Sequence, residues 1–390
     1  MRRIYPYFTL TLIVFLSTLF LWLPFLTKSS NWLGLKLENS SFEYIYKHYD
    51  GPLYVIPAKT LYDPAKLKTP DGGNILAQPA NYFAAHLPLY PLTIRLLKEF
   101  ISNSFQINEL AYLKSMLLVN IFATVGLAWF FYFILKKIKI TKAPMLLTII
   151  FLFLPRLFVV RSVGAPESLF LLLILGSLYF FEKGKYLLAG LFGGLATMTK
   201  SPGILLFGAY CLVFAEKLLV KKKNIERSMP KIDWLGIALI PAGLLVVFII
   251  YWKQMGDFFA YFNSGDNIHL IFPFSVFNFK MPWVGTAWLE DVIFYFLLYG
   301  LTVISLFKSK QRSFFYFSLV FFIATLFIQH RDIGRYSLPL WPMALIAHEK
   351  FFTSKKFIAI CIVLFPAIFF YAWNFLSYNI MPIADWTPYL

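Results

Sequence analysis

Charged residues are scarce in this chain of 390 residues, and acidic ones are the scarcest. Asp, Glu, Lys and Arg together make up 14% of the sequence, whereas soluble domains carry about 25%. Hydrophobic residues make up 59%, and the mean hydropathy is +0.68. This composition excludes an ordinary water-soluble domain and predicts an all-α polytopic membrane protein.

Cysteine is nearly absent as well. Cys211 and Cys361 both lie inside apolar runs, which excludes a disulfide framework and argues against a cysteine metal site. In a soluble protein, the net charge of +17 would suggest a nucleic-acid partner. Here the basic residues sit in short loops between apolar runs, so we expect a lipid bilayer and no nucleic acid. No obvious repeat or linker divides the chain, and residues 1–390 are predicted to form one domain.

A helix needs about 20 apolar residues to cross a bilayer. The candidate spans are 7–26, 111–135, 144–160, 166–181, 186–199, 203–219, 234–252, 292–307, 313–329, 336–348 and 356–374. The first follows a basic start, as a signal peptide does, but its run is too long and lacks a small-residue cleavage site. We therefore expect about eleven spans, with the first one retained.

The basic residues predict the orientation of these spans. With the N-terminus in the cytoplasm, the cytoplasmic loops hold 20 of the 36 basic residues and 5 of the 19 acidic ones. This excess follows the positive-inside rule and places the C-terminus outside. Segment 87–101 carries Arg95, Lys98 and Glu99 and would reverse the pattern if it were a span, so we expect it to lie in the interface.

This topology leaves two long extracytoplasmic loops, 27–110 and 253–291, and interfacial helices are expected in the first. Most of the unusual polar residues fall on the same side of the membrane. One charge at the end of a span is more often an interfacial anchor, but charges that face a water-filled cavity are often functional. Their concentration on one face predicts a site there.

The stretch HYDGPLYVIPA, residues 48–58, places Asp50 in the first long loop. A carboxylate there can take the proton from an acceptor hydroxyl during sugar transfer from a lipid phosphate. The phosphate leaving group needs no proton donor, and nearby cations can hold its developing charge. Aromatic rings can contact the sugar, and apolar grooves can hold a polyprenyl tail. The competing structural explanation is that Asp-Gly is a strong turn signal.

Five motifs occur in an order that is typical of one enzyme family. YDGPLY (49–54) is similar to W-D-G-x-x-Y, HLPLYPLTIRLL (86–97) to F-F-P-L-Y-P-L, and RYSLPLWP (335–342) to R-Y-x-L-P-x-x-P. Residues 164–206 are similar to a Y-S-E-S-L-F run followed by A-G-L-x-x-x-L-A-T-x-T-R-P-x-G, and residues 256–270 to G-D-P-L-A-F. The chain thus resembles GT-C superfamily glycosyltransferases, in particular the GPI mannosyltransferase that adds the second mannose and its prokaryotic relatives.

The resemblance implies a glycosyltransferase that moves mannose from a polyprenyl-phosphate carrier, such as dolichyl phosphate mannose, to an acceptor hydroxyl on the extracytoplasmic face, with inversion. Asp50 maps onto the family's acid in the first long loop, as general base, and Glu167 and Ser168 map onto its E-S-L. Tyr49 and Lys200 depart from the family's Trp and Arg, and Phe258 stands where its motif has Pro. The acceptor can be a glycan, a lipid or a protein.

The candidate site residues share a predicted position in the outer loops or at the outer ends of spans. The catalytic candidates are Asp50 and Glu167. The donor-phosphate candidates are Lys200, Arg331, Arg335 and Tyr336, and the spacing of the two arginines would put them on one helical face. The substrate-binding candidates are His48, Tyr49, Gly51, Tyr54, His86, Tyr90, Arg161, Ser168, His269 and His330. The histidines and Asp50 match no specific metal-ligand spacing, so no cofactor is expected to be required, and a divalent metal stays an open alternative.

Three other functions share parts of this pattern. A transporter or flippase of lipid-linked sugars would place charges deep within spans and break its helices in paired positions, whereas here the charges lie at span ends. An oligosaccharide polymerase or ligase would share the aromatic, basic outer face but lack the acid in the first long loop. In a non-catalytic scaffold, Asp50 would be dispensable.

Overall fold

The computed structural model describes residues 4–48, 50–66, 80–105, 112–221, 232–265, 270–278 and 289–378. These residues form eighteen α-helices, short 3-10 helices and one two-stranded antiparallel hairpin. Tyr49 and His269, both candidate substrate-binding residues, lie outside the described part of the chain.

The chain begins with a long apolar helix and then enters the first predicted loop. The elements up to the end of that loop are α1 (Tyr5–Leu26), β1 (Asn31–Trp32), β2 (Leu35–Lys36), α2 (Glu43–Lys47), α3 (Gly51–Thr60), a 3-10 helix (Ala80–Ala85) and α4 (Leu89–Phe105). The α4 helix is amphipathic and coincides with the segment expected in the interface; it packs against α3.

The remaining elements are mostly apolar helices joined by short turns. They are α5 (Tyr112–Ile138), α6 (Pro144–Leu152), α7 (Pro155–Val160), α8 (Glu167–Glu182), α9 (Tyr186–Thr199), a 3-10 helix (Ser201–Ile204), α10 (Leu205–Lys221), a 3-10 helix (Ile232–Ala238), α11 (Leu239–Met255), α12 (Ala260–Asn263), a 3-10 helix (Ser275–Phe277), α13 (Glu290–Leu306), α14 (Arg312–Leu326), α15 (Ile333–Tyr336), a 3-10 helix (Leu338–Leu340), α16 (Trp341–Ala347), α17 (Glu349–Phe352) and α18 (Lys355–Ser377).

Five helical segments of the described chain are long and apolar enough to cross a membrane. They are Tyr5–Leu26, Tyr112–Ile138, Ser201–Leu219, Ile232–Met255 and Lys355–Ser377. The other predicted spans also coincide with helices, which are shorter. The prediction of an all-α polytopic membrane protein is confirmed.

Two of the predicted spans are not single helices. Segment 144–160 divides into α6 and α7, because Pro155 has no backbone N–H to donate and starts a new helix. Segment 336–348 begins in the last residue of α15 and continues through a 3-10 helix into α16, with Pro339 in the 3-10 helix and Pro342 in the first turn of α16. These breaks matter for the site, because Arg156 and Arg335 lie beside them.

Helices α9 and α11 approach each other closely along a stripe of glycines. A Cβ atom on Gly194 would lie 2.5 Å from the Leu239 carbonyl oxygen, and one on Gly243 would lie 2.5 Å from the Gly194 carbonyl oxygen. Small residues permit such contacts between membrane helices. Helix α9 also packs against α8, and this pairing brings the end of α9 beside the start of α8.

Polar contacts also join residues that the predicted topology puts on one side of the membrane. Arg312 Nε donates to Glu216 Oε2 at 2.8 Å, and Ser313 Oγ donates to Glu182 Oε1 at 2.6 Å. All four residues belong to loops and helix ends that the charge distribution assigns to the cytoplasm. This grouping agrees with the alternation of spans; which side faces the cytoplasm stays a prediction.

Candidate active site

Four charged side chains from separate parts of the chain meet in one network, which we call the charged cluster: Asp50, Glu167, Lys200 and Arg335. Arg335 Nε donates to Glu167 Oε1 at 2.7 Å, and Arg335 Nη2 donates to Asp50 Oδ2 at 3.2 Å. Lys200 Nζ donates to the same Glu167 oxygen at 2.7 Å. Two carboxylates balance two cations, so the cluster is close to neutral as a whole.

Asp50 occupies the N-cap position of α3, but its carboxylate makes no capping hydrogen bond. It is directed to Arg335 instead, so the turn explanation for this Asp-Gly pair does not account for the side chain. A Cβ on Gly51 would lie 2.6 Å from the Tyr46 carbonyl oxygen, and one on Gly164 would lie 3.0 Å from the Gly51 Cα. The loop before α8 therefore rests directly on Gly51, which brings Asp50 and Glu167 to the same arginine.

Glu167 and Lys200 come together because α8 and α9 pack side by side. Glu167 is the first residue of α8, after Pro166, and Lys200 is in extended backbone directly after α9. Glu167 is 2% exposed, and its Oε2 atom accepts no hydrogen bond from the described residues. The Lys200 ammonium also lies 5.4 Å from the centre of the Tyr336 ring. The buried Glu167 carboxylate thus holds both cations of the cluster in place.

A further ion pair, between Arg156 and Asp332, lies beside Arg335, and the sequence does not predict it. Asp332 caps α15 and accepts from the Arg335 backbone N–H at 3.2 Å, while Arg156 Nη2 lies 3.0 Å from Asp332 Oδ1. The Arg156 guanidinium also lies 4.8 Å from the centre of the Phe375 ring. The available signal was Pro155, which interrupts an apolar run directly before an arginine.

A group of aromatic side chains flanks the cluster on the side of the first loop. The Tyr54 ring makes edge-on contacts with His86 and Tyr90, with centroids 4.8 Å and 5.1 Å apart. His86 is 5% exposed, and its Nδ1 atom has no hydrogen-bond partner in the described residues. The electrostatic coupling of His86 to Asp50 and Arg335 places it near the cluster.

Two further histidines lie close by. His48 is buried, with its ring edge-on to Phe375 at 5.3 Å. His330 Nδ1 accepts from the Asp332 backbone N–H at 2.9 Å, and its ring is edge-on to Tyr336 at 4.8 Å. The structure therefore brings together three histidines from three distant stretches of the sequence.

The charges set the protonation of these groups. Burial raises the pKa of Asp50, but the positive charges of Arg335 and Lys200 and the coupling to His86 outweigh it, so the pKa lies below its ordinary value. Burial is the main cause that lowers the pKa of His48 to about 3 and the pKa values of His86 and His330 to about 4. At neutral pH the site therefore presents an ionised Asp50 beside neutral imidazoles.

Two candidate substrate-binding residues point away from the cluster. Arg161 is 1% exposed and donates to Ser17 Oγ at 2.8 Å and Thr18 Oγ1 at 3.0 Å. Ser168 is fully buried, and its Oγ shares a hydrogen bond with Thr124 Oγ1 at 2.8 Å. These positions disagree with a role in substrate binding. Arg161 is the C-cap residue of α7 and Ser168 is the second residue of α8. Both side chains are directed at neighbouring helices, Arg161 at α1 and Ser168 at α5.

Three other candidates need a narrower interpretation. Tyr90 is fully buried, with its hydroxyl 3.4 Å from the Met116 carbonyl oxygen, so its ring supports Tyr54 and does not reach a ligand. Gly51 acts through the close contact already described. The argument for Arg331 was a helical face shared with Arg335; it is wrong, because α15 begins at Ile333, after Arg331.

Within the described ranges, no three His, Cys, Asp or Glu side chains form a group that could hold a metal ion. Asp50 and Glu167 both contact Arg335, which supplies the positive charge that a metal would bring to such carboxylates. That the activity does not require a metal ion stays a prediction.

Fold and cluster together define a polytopic all-α membrane protein with a buried charged site at one end of its helices. The fold is similar to that of ArnT from Cupriavidus metallidurans in its crystal structure bound to undecaprenyl phosphate. The TM-score is 0.55 at 12% sequence identity; the match covers 91% of this chain and 63% of the ArnT chain. At this identity the likeness establishes the fold. No protein-family model and no curated protein matches the chain.

Proposed function

We propose that the chain is a membrane glycosyltransferase that transfers a sugar from a polyprenyl-phosphate carrier to an acceptor hydroxyl. The shared fold with ArnT, a GT-C glycosyltransferase crystallised with undecaprenyl phosphate, supports the class of enzyme and of donor. The observation that carries the proposal is the charged cluster, in which a partly exposed carboxylate, Asp50, lies beside the two cations Arg335 and Lys200.

The cluster contains the groups that a single displacement needs. Asp50 takes the proton of the acceptor hydroxyl while the acceptor oxygen attacks the anomeric carbon. The bond from that carbon to the phosphate oxygen breaks, and the phosphate leaves with the electron pair, held by Arg335 and Lys200. Attack from the face opposite the phosphate inverts the anomeric carbon. Glu167 is a positioning residue in this scheme, because it holds both cations and is itself closed off from the site.

The remaining assignments follow from position. Tyr336 and Lys200 are proposed for the phosphate end of the donor, since the ring lies beside the ammonium. Tyr54 and His86 are proposed for the sugar or acceptor, since they lie near Asp50 and stay neutral. Mannose as the sugar rests on the sequence motifs, and the extracytoplasmic placement rests on the distribution of basic residues.

The decisive experiment incubates the purified protein in liposomes with polyprenyl-phosphate-mannose and a panel of acceptors. Asp50→Asn is expected to fold and to lose about 10²- to 10⁴-fold in transfer rate, as the loss of a general base usually costs. Asp63→Asn is the matched control, because Asp63 is an acid of the same loop whose contacts are local. Product mass identifies the sugar, and EDTA is expected to leave the rate unchanged.

Transfer by Asp50→Asn within a few fold of wild type would remove Asp50 from the mechanism. Movement of the intact donor across the liposome membrane, without any transfer, would favour the transporter or flippase alternative. A parallel set of reactions with other polyprenyl-phosphate sugars tests whether the protein is a glycosyltransferase of this class that uses a sugar other than mannose.

A further inference from the structure

Both cations proposed for phosphate binding are already paired with carboxylates. Arg335 bridges Asp50 and Glu167, and Lys200 is bound to Glu167. The cluster is charge-balanced in this state, so an anionic phosphate that enters it must take a cation from one of the two carboxylates. Which carboxylate gives way is decided by how firmly each one is held.

Geometry separates the two carboxylates clearly. The Glu167 side chain is 2% exposed, and its Oε1 accepts from both cations at 2.7 Å. The Asp50 side chain is 21% exposed and has one described ion-pair contact, at 3.2 Å. A partly exposed carboxylate can regain water when its partner leaves, whereas a buried one would lose part of its charge compensation with no water to replace it. Asp50 is therefore the exchangeable ligand of Arg335, and Glu167 is the fixed one.

We propose that the donor phosphate competes with Asp50 for Arg335, so that donor binding is what releases Asp50 to act as the base. This inference rests on the proposed function. In this scheme, Asp50 and the phosphate are competing ligands of the Arg335 guanidinium. The scheme predicts an ordered reaction in which the donor binds before the acceptor. Before the donor arrives, the Asp50 carboxylate is engaged with Arg335 and less able to accept a proton.

The charge balance of the reaction supports this exchange. In the donor, the sugar-linked phosphate is a diester with one negative charge, and Asp50 carries another. After transfer, Asp50 holds the acceptor proton and is neutral, while the departing polyprenyl phosphate is a monoester with a charge of about −1.5 to −2 at pH 7. The proton transfer thus moves one negative charge from Asp50 to the phosphate, where Arg335 already lies, and the total charge of the site does not change as the bond breaks.

The test measures binding and does not depend on turnover. The probe is a short-chain polyprenyl monophosphate without sugar, titrated into wild-type, Asp50→Asn and Asp63→Asn proteins, with the corresponding polyprenol as a second probe. Because Asp50→Asn removes the competing carboxylate, this variant is expected to bind the phosphate probe about 5-fold more tightly or better. The control variant and the polyprenol are expected to show no difference, since the first lacks contact with Arg335 and the second lacks the phosphate.

Equal or weaker binding of the phosphate by a folded Asp50→Asn variant would overturn the exchange, even if the variant has lost all transfer. A gain that the polyprenol shares would attribute the effect to the lipid tail and also overturn it. Loss of transfer without tighter phosphate binding would leave Asp50 as the base but refute its competition with the phosphate, so the two proposals fail separately.

A second measurement uses only the wild-type protein and so avoids any folding defect of the variant. A water-soluble carbodiimide with an amine nucleophile labels accessible carboxyl groups, and peptide mass spectrometry quantifies Asp50 against Asp63. The phosphate probe is expected to raise the labelling of Asp50 about 3-fold or more, within the range of a moderate coupling between sites. Unchanged or reduced labelling of Asp50 would show that the carboxylate stays paired when phosphate binds.

Discussion

Two buried arginines of this protein hold their charge in opposite ways. Arg161 donates to the Leu152 carbonyl at 3.2 Å and to the hydroxyls of Ser17 and Thr18, all of them neutral oxygens, and its guanidinium lies 4.8 Å from the Phe158 ring centre. Arg335 donates to two carboxylates, one closed off and one partly exposed.

This difference supports the proposal that Arg335 is a functional cation, whereas Arg161 is a structural one. The bonds of Arg161 tie α1 to the break between α6 and α7, and its burial leaves no route for a ligand. A cation held by neutral dipoles has no anion to exchange. The carboxylate partners of Arg335 make its site a place where one anion can replace another, because Asp50 can return to water. Burial alone would have classed the two residues together.

The largest difference is expected between two single variants, in which Arg335 or Arg161 is changed to lysine. Arg335→Lys keeps one positive charge but cannot bridge two carboxylates, and we expect a loss of about 10²-fold or more in transfer rate, as when a preorganised donor is removed. Arg161→Lys retains three donors for three neutral oxygens and is expected to keep transfer within about threefold while lowering the melting temperature. Equal losses of transfer in both variants would end the distinction.

The next effect tests Glu167 as a positioning residue. Glu167→Gln removes the charge that holds Lys200 and Arg335, and transfer is expected to fall about 10- to 100-fold, as for other supporting partners of a reactive group. Glu167→Asp is expected to recover part of this loss. The control is Glu216→Gln, whose partner Arg312 lies in a more exposed pair at the opposite end of the helices and whose effect should be small.

If Glu167→Gln and Glu216→Gln changed the rate equally, the loss would reflect general stability. A readout of kcat and KM separates the cases further. Misplaced cations should lower kcat and weaken donor binding, which raises the KM for the donor. A stability defect should reduce the fraction of active protein and leave KM unchanged.

A smaller effect is expected from enlarging Gly51, whose close backbone contact positions the neighbouring Asp50. Gly51→Ala would place a Cβ 2.6 Å from the Tyr46 carbonyl oxygen, and such overpacking costs about 1–3 kcal/mol. We expect a lower melting temperature and a several-fold loss of transfer, because the start of α3 must shift. Gly208→Ala is the matched control, since its Cβ would meet Val320 at an ordinary 3.9 Å. Similar results for the two alanines would mean that Gly51 is not needed for close contact.

The smallest effect concerns pH. His48, His86 and His330 have pKa values of about 3 to 4 in the folded protein against an ordinary 6.5. The unfolded chain therefore binds protons that the folded chain does not, and stability should fall as pH decreases from about 6.5 towards 4. The contribution of the lowered pKa of Asp50 is lost only below its ordinary value of 3.8. Melting curves in detergent from pH 7.5 to 4.5 measure this slope.

The variant His86→Gln should flatten that slope, because one of the neutral buried imidazoles is gone. A slope that stays identical to wild type would assign the pH dependence to other groups. Asp50 remains ionised across this range, so transfer by the surviving folded protein should not lose its base.

Much of the architecture was available from the sequence. Predicted spans coincide with helices because, in lipid, a segment must satisfy its backbone hydrogen bonds within itself, which makes the fold class a local property. Asp50, Glu167, Lys200 and Arg335 were named as site candidates from motif order, and they form the charged cluster. Pro155 also signals the break between α6 and α7, but the hydropathy of residues 144–160 predicts one span.

The sequence by itself determined the membrane class, the helical elements and the short list of charged residues. Only the tertiary structure decided which of these charges meet. It paired Arg335 with Asp50 and Glu167, added Arg156 and Asp332, and directed Arg161 and Ser168 inward. The physical reason is that hydropathy sets whether a segment is a helix, whereas the rotation of each helix and the approach of distant loops depend on close packing, as at Gly51 and Gly164.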